Sequence, residues 1–179
     1  CVSVMREKKG HRALIDAMAG LLKRSEVFLV LVGDGSPTLE NLQAYVHTLG
    51  LDDKVLFTGR RSDIPNVLAG FDVFALATEQ EASGTVFVEA AAAGLPVIGT
   101  DVGGVSEMLR DGETGLLVPL RDAAALTAAL TSLIDDPDRR RAMGRAGMRA
   151  VREGERFTLE GLVRRTEQCY GQWLEERVP

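Results

Sequence analysis

From residue 2 to residue 119 the chain alternates short apolar runs with stretches of helical periodicity, the pattern of strands joined by crossover helices. Val-Ser-Val (2–4) precedes a helical pattern over 11–24, where Leu14, Met18, Leu21 and Leu22 recur at helical spacing. The run VFLVLV (27–32) closes on Gly33-Asp34-Gly35, and a helix over 37–49 follows, with Pro37 at its start and Gly50 past its end. VLFT (55–58), a short helix near 63–69, VFAL (73–76), a helix over 84–93, PVIG (96–99), a short helix over 104–110 and GLLVP (115–119) complete the series. Such connections are right-handed and give a parallel sheet. The runs are apolar on both faces, as a sheet covered by helices on both sides requires. The expected fold is therefore α/β: a Rossmann-like three-layer domain with a mostly parallel sheet and C-terminal helices.

Those closing helices are expected over 122–134, 137–152 and 157–175, the first two capped by Asp122 and Asp136. On the last, Leu159, Leu162, Val163, Thr166, Tyr170, Trp173 and Leu174 fall three and four apart, which predicts a face packed on the core. The 179 residues are enough for one domain with a full core. The chain opens at Cys1 directly on an apolar run, without a charged leader, which predicts a piece of a longer protein.

Composition removes several functions. A net charge of −5 and nine aromatic residues do not make the basic face of a nucleic-acid binder. No apolar run reaches the ~18 residues of a membrane span. Cys1 and Cys169 stand at opposite ends with no metal spacing, so the expected setting is reducing and cytoplasmic, with no metal and no cofactor. Gly33 and Gly35 are followed by Thr38 where a dinucleotide fingerprint needs its third glycine, and they do not follow the first strand. No Walker lysine loop and no nucleophile elbow is present. His11 and His47 have no partners that would make a hydrolase.

Ligands of open parallel sheets bind beyond the carboxyl ends of the strands. The segments expected there are 6–11, 33–37, 59–63, 77–84, 100–104 and the turn after Val118, and Gly33, Gly35, Gly84, Gly103 and Gly104 allow backbone to approach a ligand closely. The segment ATEQEASGTVFVEAAAAG (77–94) is the most informative. Gly84 is placed to open a helix whose first amides, on Gly84, Thr85 and Val86, would face the crevice and hold phosphate without a lysine. Glu89 lies about 7–8 Å further along that helix, at ~1.5 Å per residue. Its neighbours are Val, Phe and Ala, so a buried carboxylate there would need donors, and ribose or sugar hydroxyls are suitable. Alternatively, Glu89 pairs with a protein donor, while Ser83 and Thr85 only cap the helix.

The series EKKGH (7–11), LVLVGDG (29–35), VLFTGRRSDIP (55–65), Glu81 and Glu89 eight apart, EAAAAGLPVIGTDVGG (89–104) and DGETGLLVP (111–119) resembles one known family. It is similar to the C-terminal, donor-binding half of the retaining group 1 glycosyltransferases of the GT-B fold. The resemblance implies that Glu81 contacts donor-sugar hydroxyls and Glu89 accepts from the ribose. It implies that the helix start near Ser83, Gly84, Thr85 and Val86 holds the diphosphate and that Lys9 neutralises the leaving phosphates. The base would lie in the loops near Gly33, Arg60 and Arg61. The family's arginine five residues before Lys9 is replaced by Val4, and Arg6 is the candidate substitute. The family's Phe before the helix glycine is Ser83 here.

The resemblance further implies a sugar moved from a nucleotide-diphospho-sugar to an acceptor glycan or lipid-linked sugar, in bacterial polysaccharide or lipopolysaccharide synthesis. No metal is implied. The acceptor half would be an N-terminal domain absent from these residues, through which the enzyme would associate peripherally with the inner face of the membrane. A non-catalytic nucleotide-sugar binding or interaction module on the same fold is the alternative. A pyridoxal-phosphate phosphorylase is disfavoured, since no lysine follows Lys54.

Overall fold

The computed structural model describes residues 1–154 and 157–175. The strands are β1 (Leu29–Val32), β2 (Val55–Gly59), β3 (Phe74–Leu76), β4 (Val97–Thr100) and β5 (Gly115–Val118). Every pairing is parallel, in two hydrogen-bonded pieces, β1–β2 and β3–β4–β5. The expected first strand, 2–4, is reduced to a bridge between Val2 and Val32. Its backbone nevertheless runs along β1, with bonds from Ser3 N to Val32 O (3.0 Å) and from Met5 N to Asp34 O (2.8 Å).

The helices are α1 (His11–Met18), α2 (Thr38–Thr48), α3 (Ile64–Ala69), α4 (Thr85–Ala92), α5 (Val105–Met108), α6 (Ala123–Ile134), α7 (Pro137–Glu153) and α8 (Leu159–Glu175). Two expectations need correction. The pattern over 11–24 is broken after Met18: Ala19 and Gly20 form a turn, and Leu21–Lys23 is a separate 3-10 turn. Glycine is a poor helix residue, and the 3-10 turn still returns Leu22 to the core. The helix expected over 104–110 is a single turn, ended by the extended backbone of Leu109.

Asp122 caps α6 through a bond from Ala125 N, and Asp136 caps α7 through bonds from Asp138 N and Arg139 N. The core joins both sheet pieces. Phe74 on β3 meets Phe87 on α4 edge to face, centroids 5.7 Å apart, and both rings are fully buried.

The core-facing surface expected on α8 is not packed. Leu159, Leu162, Val163, Tyr170, Trp173 and Leu174 are exposed, and only Gly161 is buried on that helix among the described residues. Periodicity specifies an apolar face, not the surface that covers it.

Candidate donor-binding site

The carboxyl end of the sheet carries the candidate residues in strand order. Arg60 and Arg61 follow β2. Gly33 follows β1, and its amide donates to Gly59 O at 3.0 Å. Arg6 and Lys9 follow the segment that runs beside β1, and the loop 77–84 follows β3.

Two of these segments are joined closely. Gly10, at φ 69°, brings the turn after Lys9 against the end of β3, where a Cβ would stand 1.8 Å from Ala77 O. Only glycine fits that approach. Glu79 N donates to Lys8 O at 2.7 Å, and the hydroxyl of buried Thr78 reaches the same carbonyl at 3.2 Å. Thr100, buried at the end of β4, donates to Thr78 O. These contacts set Lys9 opposite Glu81.

The Lys9 ammonium donates to Glu81 Oε2 at 2.7 Å, both side chains being mostly buried. The other carboxylate oxygen accepts from Gly84 N at 3.2 Å. Burial alone would raise the Glu81 carboxyl, but the Lys9 hydrogen bond and charge, with the Gly84 amide, hold it below its ordinary value. A cation, a carboxylate and a helix start are thus in one line of contact.

Gly84 precedes α4 with left-handed backbone, as expected. One correction follows: its amide is taken by Glu81, so at this helix start the amides without a partner among the described residues are those of Thr85 and Val86. Neither Ser83 nor Thr85 caps α4, and both are exposed. Glu89 also departs from expectation. It is exposed, and its carboxylate has no hydrogen bond or ion pair among the described residues. The reason is angular: α4 buries Phe87, Ala90 and Ala91, and Thr85, Glu89 and Ala93, four apart, lie on the opposite face. A protein partner for Glu89 is therefore not found, and its acceptor capacity remains open.

Arg61 is engaged locally, with Nε and Nη2 donating to Asp63 at 2.8 and 2.7 Å. Arg60 and Arg6 are exposed; Lys9 N donates to Arg6 O at 3.0 Å, but among the described residues no side-chain bond joins either guanidinium to the Lys9–Glu81 pair. Arg60 lies two strand spacings from the Lys9 segment, roughly 10 Å at ~4.8 Å each. Among the described residues, no three His, Cys, Asp or Glu gather into a metal-holding set. No helix there is long and apolar enough to cross a membrane.

The sequence reading missed the bracing residues Gly10, Thr78 and Thr100. Gly103 and Gly104 are expected from the sequence to let backbone approach a ligand, whereas Gly103 is packed against the loop backbone itself. Gly103, at φ 51°, stands where a Cβ would come within 2.0 Å of Glu81 O. Arg121 was also missed, although its guanidinium donates to Glu79 Oε2 at 2.9 Å.

Parallel strands flanked by helices, with these loops at the carboxyl end of the sheet, define a Rossmann-like α/β domain. Residues 1–150 match the family described as Glycosyl transferases group 1, and the chain belongs to that family. It is 33% identical over 169 residues to N-acetyl-alpha-D-glucosaminyl L-malate synthase of Bacillus anthracis, covering 94% of this chain and 44% of that protein. It is 32% identical to the lipopolysaccharide core biosynthesis mannosyltransferase LpsB of Rhizobium meliloti, covering 95% and 50%. The crystal structure of Anabaena HepE in complex with UDP superposes with a TM-score of 0.86 at 27% identity, covering 96% of this chain and 47% of that one. The chain thus spans about half the length of the relatives it matches.

Proposed function

We propose that this chain is the donor-binding half of a retaining glycosyltransferase that takes a sugar from a nucleotide-diphospho-sugar. The observation that supports the reading is the chain of contacts from Lys9 through Glu81 to the amide of Gly84 at the start of α4, a helix that also carries the unpartnered amides of Thr85 and Val86 and the exposed carboxylate of Glu89.

Cleaving the sugar–diphosphate bond leaves charge on the outer phosphate. Lys9 and the α4 amides supply fixed positive ends at that point, the kind of term that is often the largest in catalysis. Arg6 adds charge from the same turn, where Val4 replaces an arginine. Glu81 orients the sugar hydroxyls, Glu89 accepts from the ribose, and the base lies over Gly33, Arg60 and Arg61. Ser83 gives the sugar pocket a polar wall. The diphosphate is stabilised by these groups without a metal ion.

The acceptor belongs to a further, N-terminal domain of the same protein. The named relatives use acceptors as different as L-malate and lipopolysaccharide core, which is consistent with acceptor choice residing outside the shared half. For this protein we favour an acceptor glycan or lipid-linked sugar of a bacterial envelope polysaccharide. The work would be done in the cytoplasm at the inner face of the membrane. A non-catalytic binding module would keep donor affinity and lose transfer.

Calorimetry of this chain with UDP, GDP and ADP, and with their sugars, tests the donor reading. We expect binding to at least one pair; no binding at millimolar concentration to any overturns it. Transfer assays on the full-length protein separate enzyme from binding module.

A further inference from the structure

Arg121 is the one non-glycine residue with positive φ among the described residues, at 61°. A side chain in that region is uncommon and strained, and glycine would occupy it freely. The strained residue does not face empty solvent. Its guanidinium reaches from the turn after β5 to Glu79 Oε2, 2.9 Å away, in the loop after β3. Glu79 is two residues before Glu81, and its amide bonds to Lys8 O beside Lys9. The two side chains share the wall of a cavity of about 210 Å³ with Gly10, Ala77 and Thr100.

We propose that Arg121 is a positioning residue: its ion pair with Glu79 latches the loop carrying Glu81 to the β5–α6 turn and holds it in register with Lys9. The proposal rests on the donor-binding reading for its consequence, but not for the latch itself. Two turns at the carboxyl ends of β3 and β5 are not neighbours in the sheet, because β4 lies between them. Arg121 is the side chain that spans this gap to the donor loop. A left-handed backbone at 121 directs it there, and a glycine at that place would relieve the strain but leave the loop untied.

Backbone strain and latching act in opposite directions, which makes the role separable from a purely structural one. Three variants are needed: Arg121→Gly, Glu79→Gln, and the exchanged pair Glu79→Arg with Arg121→Glu. Hydrogen exchange on the ligand-free chain reads the amides of Glu79, Gln80 and Gly84, each bonded within this loop region. Exchange there should be faster in Arg121→Gly and Glu79→Gln, with Tm unchanged or raised in Arg121→Gly, and slower again in the exchanged pair.

Calorimetry with UDP-glucose against UDP, and GDP-mannose against GDP, reads the consequence. Either single variant should weaken the sugar nucleotide about two- to fivefold relative to the plain nucleotide, the range an exposed ion pair supports. Unchanged exchange in both single variants overturns the latch. Faster exchange with an unchanged sugar-to-nucleotide ratio overturns its positioning role. If the wild-type chain binds none of these probes, the donor reading falls and the positioning role falls with it, while exchange still decides whether the latch exists.

Discussion

Lys9 and Glu81, 72 residues apart in sequence, form an ion pair at 2.7 Å at the carboxyl end of the sheet, and Glu81 simultaneously accepts from the amide of Gly84, the glycine that precedes α4. In the free chain the cation assigned to phosphate is therefore held by the carboxylate assigned to sugar. Removing the carboxylate frees the cation. Glu81→Gln should leave UDP or GDP affinity unchanged or tighter, while weakening the matching nucleotide sugar. Lys9→Met should weaken both by about 1.5–3 kcal/mol, the worth of a hydrogen bond to a charged group. Calorimetry on the two variants checks this; equal losses of plain nucleotide in both would refute the division of roles.

Glu89 offers a cleaner separation of binding from folding. Its carboxylate is exposed and unpaired among the described residues, so nothing in the fold depends on its charge. Glu89→Gln should change Tm negligibly, since substitutions at such surface sites stay within about ±0.5 kcal/mol. The same change should weaken nucleoside diphosphate binding, because one strong acceptor becomes a weaker amide. A drop in Tm with unchanged binding would instead place Glu89 among the structural residues.

Gly103 is expected to tolerate no side chain. A Cβ would sit 2.0 Å from Glu81 O, and φ is 51°. Gly103→Ala should cost about 1–3 kcal/mol through overpacking. It should also displace the backbone that presents Glu81, so nucleotide-sugar affinity should fall further than plain nucleotide affinity. Urea unfolding and calorimetry on the same sample test both halves, and a variant as stable as wild type would show that the loop moves aside freely.

The order of strands and helices was legible because burial on both faces leaves uninterrupted apolar runs, and helix faces leave a period. What periodicity does not record is where an element stops or what covers it. Leu21 and Leu22 continue the pattern of α1 although the chain turns at Gly20, and the apolar face of α8 reads like a core face yet is exposed. Glu89 looked buried because α4 is almost wholly Val, Phe and Ala; its outer face is simply made of small residues. Lys9, Glu81 and Gly84 were each legible from the resemblance, but their contact depends on Gly10 and Thr78 closing two distant turns. The turn after Val118 was legible as a strand-end segment, but nothing in the sequence marks its Arg121 for positive φ.

His11 gives a prediction in pH. It opens α1 directly behind the Lys9 turn, its ring is buried, and Nε2 lies 2.8 Å from Ser3 Oγ. Burial, and after it the positive charges of the chain's amino group and Lys9, push its pKa from 6.5 down to about 4. The folded chain thus holds His11 neutral while the unfolded chain protonates it near its ordinary value. Above about pH 6.5 both states are neutral and the stability is complete. As pH falls from about 6.5 to about 4 only the unfolded state gains the proton, and stability is lost, on the order of 3 kcal/mol over the window. Below about 4 both states bind it and this contribution is flat. Glu81 acts lower: its depressed carboxyl stabilises the fold above the ordinary glutamate value of about 4.3 and loses that effect as pH falls through the folded value. Urea unfolding between about pH 7 and pH 4.5 reads the histidine as the difference between wild type and His11→Gln, because burial also lowers the Cys1 amino group to about 5 and it titrates across the same range in both proteins. Wild type should lose stability steadily across that range, and His11→Gln should be less stable at pH 7 and lose distinctly less as pH falls. Equal slopes in the two proteins would mean that the buried ring takes up its proton without opposing the fold.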